Sequence, residues 1–217
     1  IVAAALLLLL AMLGMQGMSA YVFPNVYRNT QAQSVVALLS NVSIIAICAP
    51  LASKLAAKFG KKELATVSCL FGAASYVICF ILHPDNVWVY VIFYVAAFVG
   101  LGFFNTIIWA MITDVIDDAE VKNGIREDGT IYAVYSFARK LGQAFSSGMV
   151  GALLSLAGYS TATAFDPAVT ESIFKISCIV PIIGLTTVAL ALIFIYPLNK
   201  KRVESNVAEL ARRRGEK

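Results

Sequence analysis

Apolar residues run along this chain in six stretches, each about as long as a bilayer is thick, separated by short polar or charged breaks. The stretches cover residues 1–27, 34–55, 64–82, 87–112, 130–158 and 172–198. None shows the short alternating segments of a membrane barrel. A backbone in lipid must satisfy its own hydrogen bonds, so the pattern predicts six transmembrane helices. Pro24, Pro50 and Pro181 fall inside or near the ends of these runs and predict kinks.

Composition supports the membrane reading. The chain is 59% hydrophobic and 14% charged, whereas about a quarter of the residues in an ordinary globular domain are charged. The first run has no basic flank and is too long for a signal peptide, and a start at Ile1, without Met and already inside an apolar run, is expected of a fragment.

The basic residues give an orientation. Lys54, Lys58, Lys61, Lys62, Lys122, Arg126, Arg139, Lys140 and the cations of the tail fall on one side of a six-span layout, leaving Arg28 and Lys175 for the other. The positive-inside tendency makes the first side cytoplasmic, with both ends of the chain on it. The net charge of +4 then reflects topology and anionic lipid, and predicts no nucleic-acid partner. The tail, residues 199–217, mixes arginines with Glu204, Glu209 and Glu216 and predicts a short surface helix.

Cys48, Cys69, Cys79 and Cys178 lie within the spans without ligand spacing and read as small packing residues, with no metal implied. The lone histidine, His83, sits in a short turn outside the spans. There is no His-Glu-x-x-His or Gly-x-Ser-x-Gly motif, so an enzyme is not expected, and no selectivity segment suggests a channel.

Lys140 is the most informative position. It lies ten residues inside the fifth run, so at about 1.5 Å per residue its ammonium is roughly 15 Å deep. A charge there costs at least about 2.5–3.5 kcal/mol on insertion scales and is retained where it meets a partner or a wet cavity. Tyr132, Ser136, Arg139, Gln143 and Ser147 form one helical face that Lys140 borders. This stripe either lines a cavity or glues helices together, with Gly142, Gly148 and Gly151 permitting close approach; two adjacent cations favour the cavity. Trp109 reads as a platform for an apolar ring face or as an interfacial anchor. Gln16, Ser19, Tyr21 and Asn25 suit hydroxylated ligands, while Tyr21 also suits an interfacial belt.

A second cluster follows the fourth run. Asp114 and Asp117 are spaced to share a helical face, with Glu120 one step further. With Arg126 they form a candidate ion-pair gate at the cytoplasmic exit.

The segment Trp109-Ala-Met, Asp114-x-x-Asp117-x-x-Glu120, Gly124-x-Arg126-x-Asp128-Gly129, Tyr135-Ser136 and Lys140 resembles the pattern between the tenth and eleventh helices of the glycoside-pentoside-hexuronide:cation symporters. The run from Tyr135 to Ala144 is closer to the xyloside and glucuronide carriers than to melibiose permease, and Tyr196-Pro197-Leu-Asn-Lys200-Lys201-Arg202 is similar to the family's C-terminus. Asp118 departs from the pattern, since an aromatic is more usual there, and it puts local packing in question. The short basic turn around Lys54, Lys58, Gly60, Lys61 and Lys62 resembles one that recurs in major facilitator transporters.

The resemblance implies an all-α polytopic membrane protein, in which residues 1–198 form the C-terminal six-helix bundle of a twelve-helix major facilitator and 199–217 a cytoplasmic basic tail. It implies sodium- or proton-coupled symport of a glycoside, pentoside or hexuronide in a cell membrane by alternating access. Lys140, Tyr135, Ser136, Gln143, Arg139, Trp109, Tyr21 and Asn25 would serve substrate or coupling, and Asp114, Asp117, Glu120, Arg126 and Asp128 the gate. The expected partners are a sugar, the bilayer and an N-terminal six-helix half. No organic cofactor is implied, and the coupling cation is expected in the N-terminal half. A non-transporting membrane module is the alternative.

Overall fold

A computed structural model describes residues 1–215. Glu216 and Lys217, the end of the expected tail, lie outside the described residues. The described chain is helical throughout: α1 (Val2–Tyr21), α2 (Thr30–Ser43), α3 (Ala49–Phe59), α4 (Lys61–Leu82), α5 (Val87–Asn123), α6 (Asp128–Leu156), α7 (Pro167–Phe194) and α8 (Lys200–Arg214). A π-helical turn, Val22–Val26, extends α1, and another, Ile44–Cys48, joins α2 to α3.

The π turns account for two of the three expected kinks. Pro24 lies inside the first turn and Pro50 is the second residue of α3, just after the second. Proline cannot donate to the i−4 carbonyl and its ring crowds it, so the hydrogen-bond ladder shifts register there. α7 runs unbroken through Pro181.

The long helices reverse direction at each connection along the chain and pack side by side in an arc. α1 packs between α6 and α7, α4 between α5 and α7, and α2 with α3 on the far side of α5. Small residues set the closest crossings. A Cβ on Gly100 of α5 would run into the Ser68 carbonyl of α4 and reach the backbone of Gly72 at 3.1–3.2 Å. One on Gly184 of α7 would meet Ala11 Cβ of α1 at 2.7 Å. Such backbone proximity is how apolar helices associate where no hydrophobic force separates them from lipid. All four cysteines are buried and free, as packing residues are.

Five segments are long and apolar enough to cross a membrane: Val2–Val26, Thr30–Phe59, Lys61–Leu82, Val87–Asn123 and Pro167–Phe194. The expected sixth span, residues 130–158, is α6. It has the length, at 29 residues, but Arg139, Lys140, Gln143 and its serines and glycines leave it too polar to qualify on composition. α6 packs almost wholly on α1 and presents the rest of its surface openly. Gly142 faces Leu6 and Leu9 of α1, as a close-approach glycine would. Gly148 and Gly151 instead face open space, so the helix-contact alternative is met at Gly142 alone among the three.

Boundaries differ from hydropathy where polar residues continue a helix. α5 runs eleven residues past Ile112, ending where Gly124 adopts φ 74° and its N–H bonds Glu120 O. α3 and α4 are split only at Gly60, whose φ of 107° turns the chain.

Candidate functional site

The ends of α3, α5 and α7 and the starts of α4, α6 and α8 meet at one end of the bundle, and the charged residues gather there. Arg126, in the loop after α5, is the centre of the first group. Its Nη1 donates to Asp117 Oδ1 at 2.9 Å and Glu120 Oε2 at 2.8 Å, and its Nε to Asp128 Oδ2 at 2.8 Å. Asp117 and Glu120 lie on the face of α5 over which this loop folds, and Asp128 opens α6 beside it. The three carboxylates, Glu120 foremost, hold the guanidinium's pKa above its ordinary value.

Asp114 does not join that group. Lys61 at the start of α4 donates to its Oδ1 at 2.6 Å, and its Oδ2 is buried with no hydrogen-bond partner. Helix geometry explains the split. Asp114 and Asp118 are four residues apart and face α4 and α8, whereas Asp117 and Glu120 point about 60° and 120° away from Asp114, toward the loop.

Asp118 forms the second group. It is 7% exposed and accepts from Arg202 Nε at 3.0 Å and Asn206 Nδ2 at 3.0 Å of α8, with Lys122 Nζ at 2.7 Å. The residue that departed from the family pattern thus anchors the tail helix. Arg214 reaches Glu120 at 2.8 Å, so Glu120 is shared between the tail and Arg126. Lys62 Nζ caps the end of α7 by donating to Tyr196 O at 2.7 Å and Ile193 O at 3.1 Å. Further along α8, Arg212 and Arg213 hold the Glu209 carboxyl down at about 2, so it stays ionised at any physiological pH. Asp118→Ala leaves Arg202 and Asn206 without their acceptor and is expected to weaken tail docking by about 2 kcal/mol. Trypsin cleavage within Arg212–Arg214 should accelerate severalfold, and an unchanged rate would contradict this anchoring.

Further into the bundle, α5 and α6 bring aromatics together. Trp109 packs edge-on against Tyr135 at 5.1 Å and stacks with Tyr132 at 6.4 Å. The Arg139 guanidinium lies 5.4 Å from the Trp109 ring, and its Nη1 donates to Tyr135 Oη at 3.2 Å. Trp109 is still 47% exposed.

The predicted stripe on α6 therefore divides. Tyr132, Tyr135 and Arg139 turn toward Trp109, while Ser136, Lys140, Gln143 and Ser147 occupy the adjoining, open face. Lys140 is exposed and makes no hydrogen bond or ion pair among the described residues. Between α1 and α6 runs an open groove of about 660 Å³, lined by Gln16, Gly17, Tyr21, Gln143, Ser146 and Ser147 among others. Tyr21 is held edge-on against Tyr159 at 5.1 Å. Asn25 is buried within the π turn, away from this groove.

Residues 1–200 match the family described as MFS/sugar transport protein. The chain belongs to that family. Within it, the chain sides with the glycoside-pentoside-hexuronide:cation symporters that its segment from Trp109 to Ala144 resembles. It is 28% identical over 210 residues to a glucuronide carrier protein homolog of Escherichia coli (strain K12), covering 97% of this chain and 46% of that one. It is 30% identical over 156 residues to a putative sulfoquinovose importer of the same organism, covering 72% and 33%. A putative glycoside/cation symporter, also from that organism, is 32% identical over 107 residues, covering 49% and 23%. The chain spans about half the length, or less, of the curated relatives it matches. These relatives are transport proteins, not enzymes, in keeping with the lack of hydrolase motifs.

Sequence reasoning missed Lys61, Arg202, Asn206 and Arg214 as site residues. The spacing of Asp114 and Asp118, and of Arg202 and Asn206, each four apart, was the available signal. It shows which side chains share a face, but not which helix that face meets.

Proposed function

We propose that the chain is the C-terminal half of a cation-coupled symporter for glycosides, pentosides or hexuronides, working by alternating access. The observation that carries this reading is the open polar face on α6. Ser136, Lys140, Gln143 and Ser147 lie beside a groove shared with Gln16 and Tyr21 of α1, in a bundle whose other long helices are apolar. An ammonium and a row of polar groups on a membrane helix require protein or water opposite them. A six-helix N-terminal half facing α1 and α6 supplies both, and encloses a central cavity between the two bundles.

In that cavity Lys140 contacts the substrate or couples it to the cation, while Gln143, Ser136 and Ser147 hydrogen-bond sugar hydroxyls. Trp109 and Tyr135 wall the cytoplasmic side, with Arg139 held over them. The acidic substrates named for two relatives, a glucuronide and sulfoquinovose, fit a pair of cations in this region. The charged end is cytoplasmic by the positive-inside tendency, with both ends of the chain on that side of the cell membrane.

The Arg126 group, with Asp117, Glu120 and Asp128, is the cytoplasmic gate, and Lys61 with Asp114 braces it. Asp117→Asn removes one of three carboxylates from Arg126 and is expected to shift the population toward inward-open. Cysteines engineered on the two sides report it as faster labelling from inside and slower from outside; unchanged accessibility on both sides removes the gate. The reading as a whole is tested by counterflow of labelled glycosides in proteoliposomes holding the full-length protein, with and without a sodium or proton gradient. Gradient-stimulated uptake is expected, and its absence for every glycoside class overturns the symporter.

A further inference from the structure

The membrane segment Thr30–Phe59 is interrupted near mid-length. α2 ends at Ser43, five residues form the π turn Ile44–Cys48, and α3 continues from Ala49. Three features loosen the hydrogen-bond ladder there. Ser43 Oγ donates back to Ser40 O at 2.8 Å, the Ala49 N–H reaches back five residues to Ile44 O, and Pro50 has no N–H to offer Ala46 O. A serine bonded to its own preceding turn bends a helix, and π turns inside helices recur at functional sites.

The two pieces sit differently on α5. Before the turn, α2 lies against α5. At the turn, Cys48 Sγ donates to Val99 O at 3.5 Å and packs on Gly102, where an added Cβ would meet that sulfur at 2.8 Å. Past the turn α3 stands off, and a groove of about 340 Å³ opens between it and α5. Its walls carry Ala52, Ser53, Ala56 and Ala57 of α3 and Thr106 and Ala110 of α5, none larger than threonine, with buried Ile107 as part of the floor and Lys61 at the Gly60 end. Ser53, Ala57 and Ala110 are exposed. Side chains this small hold no helices apart, and they let two backbones approach closely where they meet. α3 ends at Gly60, whose φ of 107° supplies a second pivot.

We infer that α3 is a hinged arm, which swings at the Ile44–Cys48 turn and closes the groove against α5. Over its 11 residues the arm is about 16 Å long, so a swing of about 15° carries its Gly60 end by about 4 Å. In the structure the arm is open. Closing it buries the small-residue walls, while α2, held at Gly102, stays in place. The role of the swing, though not the swing itself, rests on the alternating-access reading above, in which a helix end moves while the rest of the bundle stays packed.

Ala57→Cys with Ala110→Cys in the full-length protein puts one thiol on each wall, and the four cysteines of this chain are buried. Oxygen with copper phenanthroline takes two electrons and two protons from the pair when the groove closes. A disulfide absent from the parent is expected, with counterflow of labelled glycosides lowered at least about tenfold and restored by dithiothreitol. A disulfide that leaves counterflow unchanged overturns the inference, as does the absence of a disulfide, and counterflow in the parent decides the symporter reading separately. A disulfide in protein whose parent shows no counterflow supports the swing and fails the symporter. Ala110→Phe wedges the groove and is expected to lower counterflow at least about tenfold at an unchanged or raised melting temperature in detergent. A lowered melting temperature shows that another helix of the full-length protein already fills the groove, and overturns the arm.

Discussion

Lys140→Ala is expected to lose gradient-driven uptake by at least about tenfold at normal expression, which corresponds to about 1.4 kcal/mol of lost interaction. The ammonium sits on the open face of α6 with no partner among the described residues, next to Gln143 and Ser147 of the groove. A charged hydrogen bond in a partly desolvated site contributes about 1.5–3 kcal/mol, so losing one to substrate or to a coupling acid gives this loss or a larger one. Lys140→Arg keeps the charge but spreads it over a planar fork, and partial activity is expected. The bundle itself should not suffer, because the side chain holds no structural contact in it. Measurement of uptake alongside thermal stability in detergent separates the two. Full coupled uptake in Lys140→Ala at unchanged stability would discard the role.

The second large effect concerns folding. Gly100→Val is expected to destabilise the bundle by about 3 kcal/mol or more, because the clash is with backbone and not with a flexible side-chain end. The added carbons would meet the Ser68 carbonyl and the backbone of Gly72, so α4 and α5 must separate along their crossing. Gly100→Ala should give a smaller loss of the same sign. Gly148→Ala and Gly151→Ala, where nothing lies within 4 Å, are expected to leave the melting temperature of this bundle within experimental scatter. A tolerated Gly100→Val, judged by size-exclusion profile and melting in detergent, would show that the α4–α5 crossing is looser than described.

Much of this architecture was legible in the order of residues. The apolar runs located the five apolar long segments, because a bilayer-length stretch of Leu, Ile, Val and Phe admits few other structures. Hydropathy failed at the ends, as it did for α5, whose last turns carry carboxylates that a folded loop and tail neutralise. Spacing alone grouped Asp114, Asp117 and Glu120, and the family pattern added Asp128; Arg126 gathers Asp117, Glu120 and Asp128 but not Asp114. The partner of Asp114 was not visible, since Lys61 lies fifty-three residues away and the two meet only through the α4–α5 crossing.

What the sequence by itself determined is therefore the kind of protein: helices of membrane length, the charged end, and the residues from Trp109 to Lys140 that carry the family likeness. Those follow from local chemistry, where period, hydropathy and spacing act within one helix. Only the tertiary structure decided that the α6 stripe splits between Trp109 and an open face, that Asp118 holds the tail helix, and that Asp114 pairs with Lys61. Each of these depends on which face of one helix meets another, and that is set by backbone proximity at residues such as Gly100 and Gly184, far along the chain from the groups it brings together.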